Sequence, residues 1–129
     1  MVINANADLN ENISKLSDKD KKERADAVNA LVQIGKPAVS RLVLLLSDTD
    51  WKVRYRALEA LGRIGDTSII PDIIMLLTDE KDHVRYMAVK SLGLLNVSEV
   101  SAALIPLVND ENPYVRRAAE ESIKKLAGK

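Results

Sequence analysis

Residues 48–66 read DTDWKVRYRALEALGRIGD, and this stretch decides the fold. Val53, Ala57, Ala60, Leu61 and Ile64 recur at i, i+4, i+7, i+8 and i+11, the stripe of an amphipathic helix. Ahead of them, Asp48, Thr49 and Asp50 are turn and N-cap residues, whose side chains accept hydrogen bonds from otherwise unpaired backbone N–H groups. Gly65 and Asp66 close the run, as a glycine just past a helix end does. Working outward, the same frame returns along the chain. Asp18/Arg24, Asp48/Arg54, Asp79/Arg85 and Asp110/Arg116 share one spacing, and Ala27, Ala57, Ala88 and Ala119 follow each arginine by three. Seven on from each arginine come Leu31, Leu61, Leu92 and Ile123, and ten on come Ile34, Ile64, Leu95 and Leu126. The arginines lie 30, 31 and 31 residues apart, so the chain is a repeat array.

A second apolar segment precedes each of these stripes, as with Val39, Leu42, Val43, Leu45 and Leu46. Each unit is therefore a helical hairpin, A then B. The spacing predicts A helices over 8–17, 37–47, 69–78 and 98–109, and B helices over 20–34, 50–64, 81–95 and 112–127. Pro37, Pro71 and Pro113 stand where helices should begin, the position at which the missing N–H costs least. Pro106 falls inside the last A helix and should bend it. The place held by Val53, Val84 and Val115 is Glu23 in the first unit, and that of Val28, Leu58 and Val89 is Glu120 in the last. Polar replacements on terminal units suit a capped array, whose end repeats face water. The expected fold is all-α, a right-handed α-α superhelix (solenoid) of four hairpins. A single domain over 1–129 is expected, with repeats at 8–35, 36–65, 66–96 and 97–127.

Composition narrows the function classes. The 47% hydrophobic content is ample for a core, and its periodicity argues against disorder. Nineteen basic and nineteen acidic residues cancel, which disfavours a dominant attraction to nucleic acid or anionic membrane. The absence of cysteine removes disulfides, thiolate catalysis and Cys-based zinc sites. Met1–Asn6 has neither a basic segment nor an apolar one of a leader, and no apolar run approaches the ~18 residues of a membrane span. A cytoplasmic protein, without a membrane partner and expected to be monomeric, is the resulting expectation.

The run Asp48-x5-Arg54-x2-Ala57-Leu58-x-Ala60-Leu61-Gly62-x-Ile64-Gly65-Asp66 resembles the short HEAT-like repeat. The form it most resembles occurs in phycobilisome-lyase-type proteins and in many small bacterial and archaeal proteins. Asp79-x5-Arg85-x2-Ala88-Val89-x-Ser91-Leu92-Gly93-x-Leu95-Asn96 is a looser copy. The resemblance implies a solenoid with B helices on its concave side. It implies that the Asp/Arg pairs form a structural ladder, Asp18, Asp48, Asp79 and Asp110 capping B helices while Arg24, Arg54, Arg85 and Arg116 bridge adjacent repeats. It does not single out a function, since such repeats serve scaffolds, chromophore lyases, hydroxylases and DNA glycosylases.

A helical wheel sends Lys52, Arg56, Glu59 and Arg63 away from the buried arc, with Trp51 and Tyr55 beside them. The matching outward sets are His83, Met87, Lys90 and Leu94 beside Tyr86, then Tyr114, Ala118, Glu121 and Lys125 beside Arg117. The chain has no Phe, and Trp51, Tyr55, Tyr86 and Tyr114 all fall in the first halves of B helices. Stacked repeats would put these rings in one groove, and Tyr and Trp are enriched at binding hot spots. The alternative is that they cover helix starts and the gaps between repeats.

His83 is the only histidine. It lacks the following glutamate of HEAT-type metal hydroxylases, so no metal and no cofactor are expected. Lys19–Arg24 mixes charges, as a solvated helix start does. No nucleophile–base pair, phosphate loop or catalytic carboxylate pair emerges. The expected function is a non-catalytic protein-binding scaffold, taking a peptide or helix of another protein on the B-helix face. Trp51, Tyr55, Arg56, Glu59, His83, Tyr86, Met87, Lys90, Tyr114 and Arg117 are the candidate groove. A bilin lyase or lyase-partner subunit, implied by the resemblance alone, and a nucleic-acid-binding module are the alternatives.

Overall fold

The computed structural model describes residues 5–128. Residues 1–4 and 129, and with them most of the opening stretch read above for a leader, lie outside the described residues. The B helices are α2 (Lys21–Ile34), α4 (Trp51–Ile64), α6 (Asp82–Leu95) and α8 (Pro113–Ala127). Their starts are set by side-chain caps. Asp20 and Asp50 accept the Lys22 and Lys52 N–H groups at 2.9 Å each, and Asn112 accepts those of Tyr114 and Val115 at 2.8 and 3.4 Å. At α6 the flanking residue is Lys81, which cannot cap, and Asp82 accepts the His83 N–H instead at 2.8 Å. Gly65 ends α4 at φ +86° and Asn96 ends α6 at φ +60°, the left-handed turn that only Gly, and to a lesser degree Asn and Asp, adopt readily.

The A segments differ from the expectation of one continuous helix each. The first, α1 (Ala5–Lys15), is unbroken and starts three residues earlier than the spacing indicated. The others are α3 (Val39–Leu45), α5 (Ile70–Ile74) and α7 (Ser101–Leu104), flanked by 3-10 turns at Lys36–Ala38, Thr67–Ile69, Met75–Thr78, Ser98–Val100 and Ile105–Asn109. Proline explains part of this. Pro37 and Pro71 sit in first turns, and Pro106 has no N–H to bond the carbonyl of Ala102, so α7 stops at Leu104 and the chain tightens into a 3-10 turn.

Each A segment packs on its own B helix, and the B helices pack on one another in the order α2, α4, α6, α8. No two A segments touch as closely. The B helices thus form one continuous layer and the A segments the other. The core follows the repeat: Leu31, Leu61 and Leu92 on the B side and Leu42, Ile73 and Leu104 on the A side are fully buried. Val53, Val84 and Val115 are buried while Glu23 is partly exposed, and Val28, Leu58 and Val89 are buried while Glu120 is exposed. The acidic exchanges at the two ends thus track burial. Among the described residues no single helix is long and apolar enough to cross a membrane.

Small residues let successive B helices approach closely. A Cβ on Gly62 would lie 2.9 Å from both Cα and Cβ of Ser91, and one on Gly93 would lie 2.8 Å from Ser122 Oγ. Ser91 Oγ donates to the Leu58 carbonyl across the same seam at 2.7 Å. An alanine in an exposed helix would gain about 1 kcal/mol over glycine. At Gly62 the overpacking penalty of roughly 1–3 kcal/mol dominates, because a backbone atom cannot swing aside. Gly62→Ala should therefore lower the urea midpoint. Gly93→Ala, which meets only a rotatable hydroxyl, should lower it less.

Candidate binding groove

The loops that start the B helices are held by the Asp/Arg ladder. Arg54 donates through Nη1 to the carbonyls of Asp48 and Thr49 at 2.8 and 3.3 Å, in its own repeat. Its Nε and Nη2 fork onto Asp79 of the next repeat at 2.9 and 3.0 Å. Arg85 repeats the arrangement, binding the Asp79 and Glu80 carbonyls at 2.9 and 3.4 Å and forking onto Asp110 at 2.8 and 3.1 Å. The planar fork matches a carboxylate in both geometry and charge.

The expectation that the ladder aspartates cap the B helices is corrected. Asp18, Asp48, Asp79 and Asp110 stand two residues before Asp20, Asp50, Lys81 and Asn112 and accept those residues' backbone N–H groups at 2.8–2.9 Å. A carboxylate at that distance from the helix orders the loop, and Asp20, Asp50 and Asn112 do the capping, with Asp82 answering the His83 N–H at α6. At the ends the ladder is incomplete. Arg116 binds only its own loop carbonyls, of Asp110 and Glu111, at 2.8 and 3.2 Å. Arg24 binds the Asp18 carbonyl at 2.7 Å, makes no bond to Asp48, and its Nε is buried without a partner.

Burial acts to raise the Asp110 pKa, but the Arg85 hydrogen bonds, the Asn112 N–H and the Arg85 charge outweigh it and hold the carboxyl below its usual range. Hydrogen bonding to Asp110 correspondingly raises Arg85, against its own desolvation.

On this frame the first halves of α4, α6 and α8 bring Tyr55, Tyr86 and Tyr114 around one groove of about 340 Å³, closed by Asp82, His83 and Asn112. A second groove of about 290 Å³ continues toward α2, sharing Tyr55 and His83 and adding Lys21, Arg24, Trp51, Lys52 and Arg56. Trp51 lines the second groove and touches both residues that the two share. The His83 ring is 4.8 Å from its own, the Tyr55 ring meets it edge-on at 6.5 Å, and Lys81 Nζ lies 4.6 Å over its face. Trp51, Tyr55 and Tyr86 are half-buried against the core, whereas Tyr114 is 69% exposed.

Electrostatics are mixed along this surface. Asp82 takes bonds from Asn112 Nδ2 at 2.7 Å and contacts His83 Nδ1 at 2.8 Å; the His83 and Asn112 hydrogen bonds keep it below the ordinary carboxylate range. Burial, and then the Glu59 charge, push the Tyr55 phenol up, with Arg56 pulling the other way. Arg56 bonds Glu59 at 2.9 Å and lies 5.4 Å over the Tyr55 ring.

Several wheel assignments are corrected. Met87 is 8% exposed and belongs to the core, because its helix face turns toward the neighbouring B helix rather than to water. Arg56 and Glu59 are part-buried as an ion pair for the same reason. Lys90 lies apart from the aromatic groove, in a shallow dip with Leu94, Ala118, Glu121 and Lys125, and Arg117 is exposed and lines neither groove. Conversely, Asp82, Asn112, Lys21, Arg24 and Lys52 line the grooves but were not in the sequence-based set. The repeat register points to three of them: Lys52 is equivalent to His83 and Tyr114, and Lys21 and Asp82 are equivalent to Trp51. Among the described residues no three of His, Cys, Asp and Glu come together as a metal site would require.

Several solved structures that resemble this chain are helical repeat proteins. The complex of CpcE and CpcF of phycocyanin lyase from Nostoc sp. matches with a TM-score of 0.84 at 23% identity, over 95% of this chain and 79% of that one. Human deoxyhypusine hydroxylase in complex with glycerol matches at 0.77 and 21% identity, over 96% of this chain and 45% of that one. A designed armadillo repeat protein in complex with the peptide (KR)4 matches at 0.56 and 21% identity, over 93% and 69%. At these identities the likeness is one of fold. A comparison with curated protein sequences finds no match. A sequence profile of HEAT repeats matches residues 9–68 and 39–124, and the chain belongs to the HEAT repeat family.

Proposed function

We propose that this HEAT-repeat scaffold is a non-catalytic protein-binding module that holds a peptide segment or helix of another protein along the groove over α4, α6 and α8. The observation that carries the reading is the convergence of Tyr55, Tyr86 and Tyr114, one from each of three successive repeats, on a single groove. Aromatic rings offer large contact area at few rotatable bonds, and rings already packed against a core lose little further freedom on binding. The fold likeness adds support of a general kind, since CpcE and CpcF form a complex and the designed armadillo protein holds a peptide.

Tyr114 is the decisive probe, because its exposure separates binding from folding. Tyr114→Ala should leave the melting transition within about 0.5 kcal/mol of wild type. In pull-downs from native lysate it should weaken capture of the principal partner by about 1 kcal/mol or more, roughly fivefold. Tyr86→Ala should weaken capture too, at some cost in stability from its half-buried ring. Retention of every partner by both variants at wild-type strength would remove the groove from the binding surface.

A further inference from the structure

Arg54 and Arg85 each close on a carboxylate of the following repeat, but Arg24 does not. The spacing supplies a cause. Arg54 to Asp79 and Arg85 to Asp110 are 25 residues, whereas Arg24 to Asp48 is 24, the one short period of the array. Losing a residue before the loop shifts Asp48 relative to the Arg24 fork, and Arg24 Nε is left buried and unpaired. An unpaired buried N–H of a cation is costly, so such groups normally have partners. This arginine also lines the open groove between α2 and α4. There it lies with Lys21 and Lys52, both exposed, and with Arg56, whose charge Glu59 already answers, and none of the described residues lining that groove is acidic. Lys81 adds a further positive charge over Trp51. The chain as a whole is neutral, so this is a local excess of cations at one end of an aromatic groove.

We infer that the partner segment is acidic, and that one of its carboxylates docks at Arg24 in the role Asp79 and Asp110 play for Arg54 and Arg85, while an apolar or aromatic residue beside it enters the tyrosine groove. This rests on the groove being a protein-binding surface. Seating the carboxylate requires the part-buried Arg24 side chain to turn its Nε outward, and relief of the unpaired N–H favours that movement. Lys21 and Lys52 would then flank the same carboxylate or its acidic neighbours. A peptide is favoured over a nucleic-acid strand because the cationic stretch is confined to one end, and Asp82, held ionised at the other, would repel a continuous line of phosphates.

The test is selection of random linear peptides against the immobilised protein, followed by titration of the winners using Trp51, the only tryptophan, as the fluorescent reporter. Acidic sequences should be enriched, with an apolar or aromatic residue nearby. Their affinity should fall steeply with salt. It should also fall at least about tenfold in a Lys21→Glu/Lys52→Glu protein, whose exposed positions leave folding intact, and in Arg24→Gln. Enrichment of basic or uncharged peptides that still lose affinity in Tyr114→Ala would overturn the acidic partner while leaving the groove reading in place. Acidic winners indifferent to the lysine reversals would overturn the assigned docking point. Failure to enrich any peptide would sink both readings. Tighter binding of a single-stranded oligothymidylate than of the best peptide would show that the partner class is wrong.

Discussion

Arg85→Ala is expected to lower the unfolding free energy by about 3–5 kcal/mol, the usual effect of breaking a buried, hydrogen-bonded ion pair from one side. The substitution removes the fork onto Asp110 and two bonds to loop carbonyls, and leaves a carboxylate that is 8% exposed with only the Asn112 N–H to answer it. The damage falls between the third and fourth hairpins, and in a nearest-neighbour array no more distant repeat reaches that seam to compensate. Arg116→Ala is the control. It removes carbonyl contacts but no carboxylate fork, and should cost distinctly less.

The two proteins should also differ in their response to acid. The folded pKa of Asp110 lies below its unfolded value, so its contribution is fully present above the ordinary carboxylate pKa. That contribution is lost as pH falls through the depressed folded value. The gap between wild type and Arg85→Ala should therefore be widest near neutrality and shrink in acid, as read from urea denaturation at a series of pH values. An Arg85→Ala protein as stable as wild type at neutral pH would mean the ladder contributes nothing to the fold.

Leu92→Ala should cost roughly 2–5 kcal/mol, and Leu61→Ala a similar amount, from lost apolar burial plus the cavity left behind. Both side chains are fully buried at the seams between stacked hairpins. Arg63→Ala on the neighbouring face should cost under about 0.5 kcal/mol, although it gives up an exposed bond to Asn29 at 3.0 Å. Chemical denaturation of the three variants measures the helical phase directly. Equal losses at Leu61 and Arg63 would contradict the burial pattern on which every assignment along α4 depends.

The array, the hairpin unit and the B helices were legible from residues 48–66 because they rest on local physics. Apolar residues at helical spacing, Asp50 as a cap and Gly65 as a stop require nothing beyond their own segment. The irregular period was visible too: the 30-residue step between Arg24 and Arg54 marks the place where the ladder later fails. What the sequence alone determined was therefore the number of units, their phase and the residues available at each turn.

Tertiary structure decided which outward positions stay outward. A single-helix wheel treats Arg56, Met87 and Ala118 as solvent-facing, but neighbouring B helices approach so closely at Gly62–Ser91 and Gly93–Ser122 that this face is covered. The same packing turned Tyr55, Tyr86 and Tyr114, which occupy two different wheel positions, into one groove, and left Lys90 and Arg117 outside it. It also moved the capping role from Asp18, Asp48 and Asp110 to Asp20, Asp50 and Asn112, two places later, and in the third repeat to Asp82. Periodicity specifies an angle about one helix axis; the distance and rotation between successive axes come only from how the side chains of adjacent repeats meet.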